Sequence, residues 1–160
     1  MNEAPDISFK VAETAQEFEE GANLFQQYAD FIDIDLSFQD FNQELKTIDK
    51  QYSKPQGTLL IVYDGMMAIG CVALRKWDNE IGEIKRMFVL PEYRGHKIGQ
   101  RLLEQILDIA QELKYNKVRL DTISTMKAAL KLYRLYGFHE IPAYRFNPIE
   151  ETIYMEKTLK

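Results

Sequence analysis

The middle of this chain leaves little freedom of fold. Thr58 to Tyr63 and Met67 to Leu74 are apolar, strand-like runs on either side of Asp64-Gly65, which is the strongest short-range hairpin signal in the sequence. Glu83 to Val89 follows as a third extended run, so the centre reads as an antiparallel meander.

Directly after that third run, Leu90-Pro91-Glu92-Tyr93 makes a turn into Arg94-Gly95-His96-Lys97-Ile98-Gly99. An amphipathic helix pattern starts at about Lys97, with Ile98, Leu102, Ile106, Ile109 and Leu113 at helical spacing. A strand, a glycine loop and a helix start in succession leave backbone N–H groups pointing out of a helix N-terminus beside two glycines. There a phosphate can approach the main chain and meet the positive end of the dipole. One reading is a phosphate-bearing ligand; the other is a pair of glycines that only shapes a turn. The dinucleotide fingerprint and the Walker loop are both excluded, since neither the Gly-x-Gly-x-x-Gly nor the Gly-Lys-Ser/Thr pattern is present.

Around this centre, Ile7 to Val11 alternates as a first strand, and Thr14-Ala15-Gln16-Glu17 is a capping box opening a helix to about Ala29, with Leu24, Phe25 and Tyr28 on its apolar face. Ser37 can cap a second helix, with Phe38, Phe41, Leu45 and Ile48 on one stripe, ending before the loop Ser53-Lys54-Pro55-Gln56-Gly57. Lys117 to Asp121 is a short strand in parallel with the run 83–89, and Met126 to Tyr136 a helix stopped by Gly137. Phe138 to Ile141 and Thr152 to Leu159 complete the sheet, separated by a loop containing Asn147-Pro148. The expected fold class is α+β: one domain over residues 1–160, with a mixed, mostly antiparallel seven-stranded sheet flanked by about four helices in the order β-α-α-β-β-β-α-β-α-β-β.

Composition narrows the function. No apolar run reaches the ~20 residues needed to span a bilayer, and the N-terminus has no basic start or apolar core, so the expectation is a cytoplasmic protein without membrane contact. Cys71, the single cysteine, lies in an apolar run and reads as a buried structural thiol. With two histidines, His96 and His139, it offers no metal-ligand cluster, and neither histidine has a Ser or Cys partner at a triad-like spacing. A net charge of −5 argues against nucleic acid as a partner. The charge is uneven: residues 1–50 carry twelve acidic and three basic side chains, a net of −9, and residues 51–160 thirteen acidic and seventeen basic, a net of +4. Either the acidic half is a solvated helix pair, or it faces a cationic acceptor while the basic half faces phosphates.

A second segment, Met126 through Glu140, contains Ala129-x-x-Leu132-Tyr133-x-x-x-Gly137-Phe138. Together with the loop 94–99, about 40 residues upstream, it resembles the GNAT superfamily of acetyl-CoA-dependent N-acetyltransferases, by motif over residues 58–160 and by element order alone over 7–57. The resemblance implies acetyl-CoA as cosubstrate, and the composition leaves the expectation of no metal. It implies that Arg94, Gly95, His96, Lys97, Ile98, Gly99 and Gln100 hold the pyrophosphate, and that the main chain of Met87, Phe88 and Val89 bonds the pantetheine arm in a gap between splayed strands. Two positions depart from the family pattern. Lys97 replaces a glycine, so either the backbone there is unstrained or the glycine is dispensable; Met126 replaces a frequent asparagine, which removes a side-chain hydrogen bond to the arm.

Such chemistry has three jobs: strip a proton from the amine, stabilise the oxyanion and protonate the leaving sulfur. Neutralising an α-amino group at pH 7 costs about 1.4 kcal/mol, a lysine-type amine about 4.6. By the resemblance Glu83 is the base, Tyr133 the acid, and a backbone N–H among Met87 to Val89 the oxyanion donor. In a regular strand Glu83 shares a face with Lys85, whose ammonium would weaken it as a base, so an ordinary ion pair is the alternative unless a bulge separates the two. The first expectation is transfer to a small-molecule amine within a ternary complex. A peptide or protein acceptor, a catalytically silent acyl-CoA-binding module and an interaction protein that ignores CoA are the others. Tyr28, Phe31, Phe38, Phe41, Tyr144 and Phe146 are core or pocket aromatics, acceptor specificity is expected in residues 20–55 and around Asn147, and the final strand is expected to pair across a homodimer if one forms.

Overall fold

The computed structural model describes residues 4–33, 35–37 and 40–159. The strands come in the expected order, with five helices among them where about four were expected: β1 (Ile7–Val11), α1 (Ala15–Ile32), α2 (Phe41–Lys46), α3 (Ile48–Gln51), β2 (Thr58–Asp64), β3 (Met67–Lys76), β4 (Ile81–Val89), α4 (Ile98–Glu112), β5 (Lys117–Ile123), α5 (Lys127–Leu135), β6 (His139–Ile141) and β7 (Thr152–Thr158). One seven-stranded sheet runs β1-β2-β3-β4-β5-β7-β6. Every pairing is antiparallel except β4 with β5.

Two layers of helix bury the sheet's two faces. Leu60, Val62 and Leu74 pack with Leu102, Leu103 and Ile106 of α4, while Leu59, Ile61 and Cys71 pack with Leu24 and Phe25 of α1 and with Tyr52. Alternate side chains of β2 therefore serve opposite layers, which is why its sequence lacks a polar face. Fully burying a side chain of this size is worth about 1.5–3 kcal/mol. Cys71 is fully buried and its thiol donates to the Arg86 carbonyl at 3.3 Å; burial pushes its pKa up, as suits a structural thiol.

Three expectations change. The second helix does not start at Ser37 but after Asp40, and Thr47 divides it into α2 and α3 with φ −118°, its hydroxyl donating to the Gln43 carbonyl at 2.8 Å. A threonine bonding four residues back competes with helix continuation. Phe38, expected on its stripe, lies outside the described residues. The capping box is present, with Glu17 accepting from Thr14 N–H at 3.0 Å, but α1 runs on to Ile32 before Asp33 turns left-handed. The last change concerns the final strand: β7 pairs with β5 on one side and β6 on the other, so it is no free edge for a second chain. The outer strands are β1 and β6.

Candidate active site

The site begins where β4 and β5 part. They pair only at Ile81–Lys117, Gly82–Val118 and Glu83–Arg119, leaving the later residues of both strands with an open edge toward each other. A bulge drives β4 away: three steps from Lys85 to Phe88 oppose two from Ala73 to Cys71, and Arg86 sits at φ 59°. A left-handed conformation at a non-glycine residue costs about 1–2 kcal/mol and needs a partner to hold it. Arg86 has one in Glu44 of α2, through Nη2 to Oε1 at 2.7 Å and Nε to Oε2 at 3.0 Å, and Tyr52 donates to the same carboxylate at 2.9 Å. Burial works against a charged Glu44, but the hydrogen bond and charge of Arg86 outweigh it and hold the carboxyl below its ordinary range.

The parted strands open into a cleft of about 510 Å³ whose wall includes Met87, Phe88, Val89, Arg94, Gly95, Lys97, Ile98 and Gly99, eight of the ten residues expected to hold the cosubstrate. His96 and Gln100 contribute no side chain to that wall, though they belong to the same loop and helix start. Met126 and Ala129 form the opposite side, so the departure at Met126 supplies apolar surface where a polar contact was in question. Among the described residues, the backbone N–H groups from Gly95 to Gln100 have no backbone acceptor; the first that does is Arg101, bonded to the Lys97 carbonyl at 3.1 Å. Gly95, at φ 94°, and Gly99 both have open space where a side chain would stand. Six unsatisfied donors at the start of a fifteen-residue helix, with no Cβ in the way at two of them, fit a diphosphate. Arg94 lies over the Phe31 ring at 4.6 Å beside them.

Lys97 occupies the left-handed region at φ 58°, ψ 24°, so its backbone is one that a glycine would adopt without strain. The alternative of an unstrained backbone at that position is thereby corrected. Lys97→Gly is expected to raise stability by up to about 1 kcal/mol, the relief of about 1–2 less the added freedom of the unfolded chain. Lys97→Ala keeps the strain and should leave stability near wild type; urea denaturation of the two variants checks the difference.

At the inner end of the cleft lies a cavity of about 20 Å³ bordered by Tyr133, Met87, Lys85, Tyr28 and Asp121. Tyr133 is buried on α5 with its ring against Phe138 at 5.6 Å, and burial raises its pKa, which keeps the phenol protonated at neutral pH. Glu83 is placed differently. It is buried at 1 % exposure, forms an ion pair with Arg145, accepts from Arg75 Nε at 3.0 Å and Tyr144 hydroxyl at 3.2 Å, and lines neither the cleft nor the inner cavity. The bulge falls beyond Lys85, so Glu83 and Lys85 remain on one face. Burial raises the Glu83 pKa, but Lys85, Arg75 and Arg145 together bring it below the ordinary value. The ion pairs of Glu83 are with Arg75 and Arg145, while Lys85 acts on it through its charge.

Burial also lowers Lys85, to about 7, with the neighbouring Arg86 adding to the shift. On the acidic half of the chain, Glu13, Glu19, Asp30, Asp33 and Asp49 are exposed, and the one buried acid among the described residues there, Glu44, is taken by Arg86. Its charge is mainly that of solvated helix faces. Phe31 and Tyr28 flank Phe88 at 5.8 and 6.0 Å, Phe41 is core, and Tyr144 meets Trp77 edge to face at 4.9 Å, while Phe146 is 82 % exposed. Among the described residues no group of three His, Cys, Asp or Glu side chains could hold a metal, and no helix is long and apolar enough to cross a membrane.

A model of the acetyltransferase (GNAT) family matches residues 19–138 of this sequence. An uncharacterized N-acetyltransferase of Schizosaccharomyces pombe is 33% identical over 157 residues, 97% of this chain and 96% of that protein. An acetyltransferase from Streptococcus agalactiae superposes with a TM-score of 0.79 at 22% identity, covering 96% of this chain and 98% of the other. The yncA protein of Salmonella typhimurium, solved with its cofactor acetyl-CoA, superposes with a TM-score of 0.68 at 14% identity over 97% and 95% of the two chains.

Proposed function

Because this chain belongs to the GNAT family of acetyltransferases, we propose that it transfers acetyl from acetyl-CoA directly to a primary amine of a small molecule, with both substrates bound together. The observation that carries this reading is the run of donors from Gly95 to Gln100 opening onto the gap between β4 and β5. Acetyl-CoA supplies the activated acetyl group and a thiolate leaving group. In this reading the main chain of Arg94 to Gln100 binds the diphosphate, and the open edge of Met87 to Val89 pairs with the pantetheine arm. An N–H of that edge polarises the carbonyl; the amine attacks as the neutral base after giving one proton to solvent, the C–N bond forms as the C–S bond breaks, and the Tyr133 hydroxyl gives its proton to the departing sulfur and regains one from the acylated nitrogen. Glu83 acts as a positioning residue that holds Arg145 and Tyr144, rather than as the group that touches the amine.

We take a small acceptor because the cavity of about 30 Å³ bordered by Tyr28, Arg86, Asp121, Asn147 and Thr152 among others has room for one small group; a longer acceptor would have to lie in the space of about 510 Å³ that shares Asn147 and Thr152 with it. Release of free thiol from acetyl-CoA in the presence of a panel of small amines, amino acids and peptide N-termini tests the proposal. Stimulation by small amines is the expected result. CoA binding with no stimulation by any amine would leave the second reading, a module that binds acyl-CoA without turnover, which the ion-paired state of Glu83 favours.

A further inference from the structure

Three buried side-chain oxygens lack a hydrogen-bond partner among the described residues: Thr58 Oγ1, Asp121 Oδ2 and Thr152 Oγ1. Two of the three border the same cavity, the space of about 30 Å³ on the acceptor side. Buried polar atoms are almost always satisfied, by protein, ligand or water, so two orphans on one small cavity mark a place where donors belong. They are near each other by register. Asp121 stands opposite Tyr154 and Ile123 opposite Thr152, which puts the carboxylate and the hydroxyl on one face of the β5–β7 ladder, one diagonal step apart. Arg145 forms an ion pair with Asp121, with Nη1 3.8 Å from Oδ2, beyond hydrogen-bond length, and Lys85 and Arg86 border the inner cavity with it. The Arg145 guanidinium is already engaged by Glu83 and lies over Trp77 and Tyr144, each at 5.2 Å. Arg86, on the same cavity, carries its charge against Glu44.

The matching group has several donors, no acceptor and a positive charge, which describes a primary ammonium. A carboxylate or phosphate would be repelled by Asp121. At about 30 Å³ the space suits one or two water-sized groups, so it admits an ammonium on an unbranched carbon and excludes a branched one. Asp121, Tyr28, Arg86 and Thr122 border this cavity and also the inner one onto which Tyr133 faces, so a nitrogen held at Asp121 is beside the place where the sulfur must be protonated.

We propose that Asp121, assisted by Thr152, is the acceptor-binding residue, and that it selects amines ending in –CH2–NH3+. The proposal deepens the acetyl-transfer reading and rests on it for the position of the thioester, whereas ammonium binding itself can be measured without turnover.

The test is an NMR titration of the protein, with and without saturating CoA, using n-butylammonium, tert-butylammonium and 1-pentanol as probes. Expected are shifts of the Asp121, Thr122 and Thr152 amides with n-butylammonium, binding at least tenfold weaker in Asp121→Asn, and binding about threefold weaker in Thr152→Val. Binding of 1-pentanol should be unchanged and tert-butylammonium should be excluded. Unchanged CoA affinity shows that each variant is folded, and Thr152→Val keeps the test alive if Asp121→Asn does not fold. No binding of n-butylammonium to the wild type, equal binding to Asp121→Asn, or shifts confined to other amides would each overturn the proposal; equal binding of tert-butylammonium would overturn the selectivity. Thiol release measured alongside separates the two claims. Amines that bind through Asp121 but are never acetylated sink the enzyme reading alone. Amines acetylated equally well by Asp121→Asn sink the Asp121 assignment alone.

Discussion

Tyr133→Phe is expected to lower kcat by a factor of about 10²–10⁴ while leaving CoA affinity within about twofold, the range that a positioned general acid contributes. The ring is packed on Phe138 and is buried, so removing one oxygen deletes no packing contact. The hydroxyl makes no hydrogen bond to the described residues, so its loss also leaves no partner unsatisfied. An effect on turnover without an effect on the melting curve is therefore the signature of a group used only as the thiolate departs. Stopped assays of thiol release and calorimetry with CoA provide the two numbers. A turnover within threefold of wild type would remove Tyr133 from the proton path.

The largest expected loss of stability comes from Glu44→Ala. Both members of the Glu44–Arg86 pair are buried, with side chains 3% and 4% exposed, so removing the acid leaves a guanidinium in a poor solvent. Breaking such a pair from one side costs about 3–5 kcal/mol. For a chain of this length that is a fall in Tm of about 6–20 °C, read by calorimetry. The double change Glu44→Met with Arg86→Met should recover much of the loss, since an apolar pair needs no compensation. A pH dependence accompanies it. Because the folded pKa of Glu44 is depressed, the pair's contribution is fully present above the unfolded value of about 4.3 and is lost as pH falls below that toward the folded pKa. Wild type should lose stability through that acid window more steeply than Glu44→Ala.

The meander and the loop after it are written in local terms: a two-residue connection, two apolar runs, a third extended one and a glycine pair before a helical repeat, none of which needs distant residues to be read. The bulge at Arg86 is not local. Its left-handed backbone is held by a carboxylate 42 positions earlier, and nothing in Lys85-Arg86-Met87 announces it. The division at Thr47 depends on a hydroxyl choosing a carbonyl, and the interior position of β7 depends on a long return from β6, so neither periodicity nor spacing could show them. Glu83 was marked by its place in a family pattern, yet its partners Arg75, Tyr144 and Arg145 come from two other regions of the chain and determine its basicity. Asp121 went unmarked because a lone acid in a short strand reads as a solvent-facing residue; only the fold shows which side it faces.

The late return of residues 152–158 into the sheet also bears on how this protein is made. Until they have left the ribosome, the far side of β5 is bare and residues 139–141 have no strand to pair with, since both depend on β7. A nascent chain stalled at the Asn147-Pro148 loop would carry a nearly complete hydrophobic interior beside an unsealed strand, the kind of surface that holdase chaperones recognise and that self-associates when they are scarce.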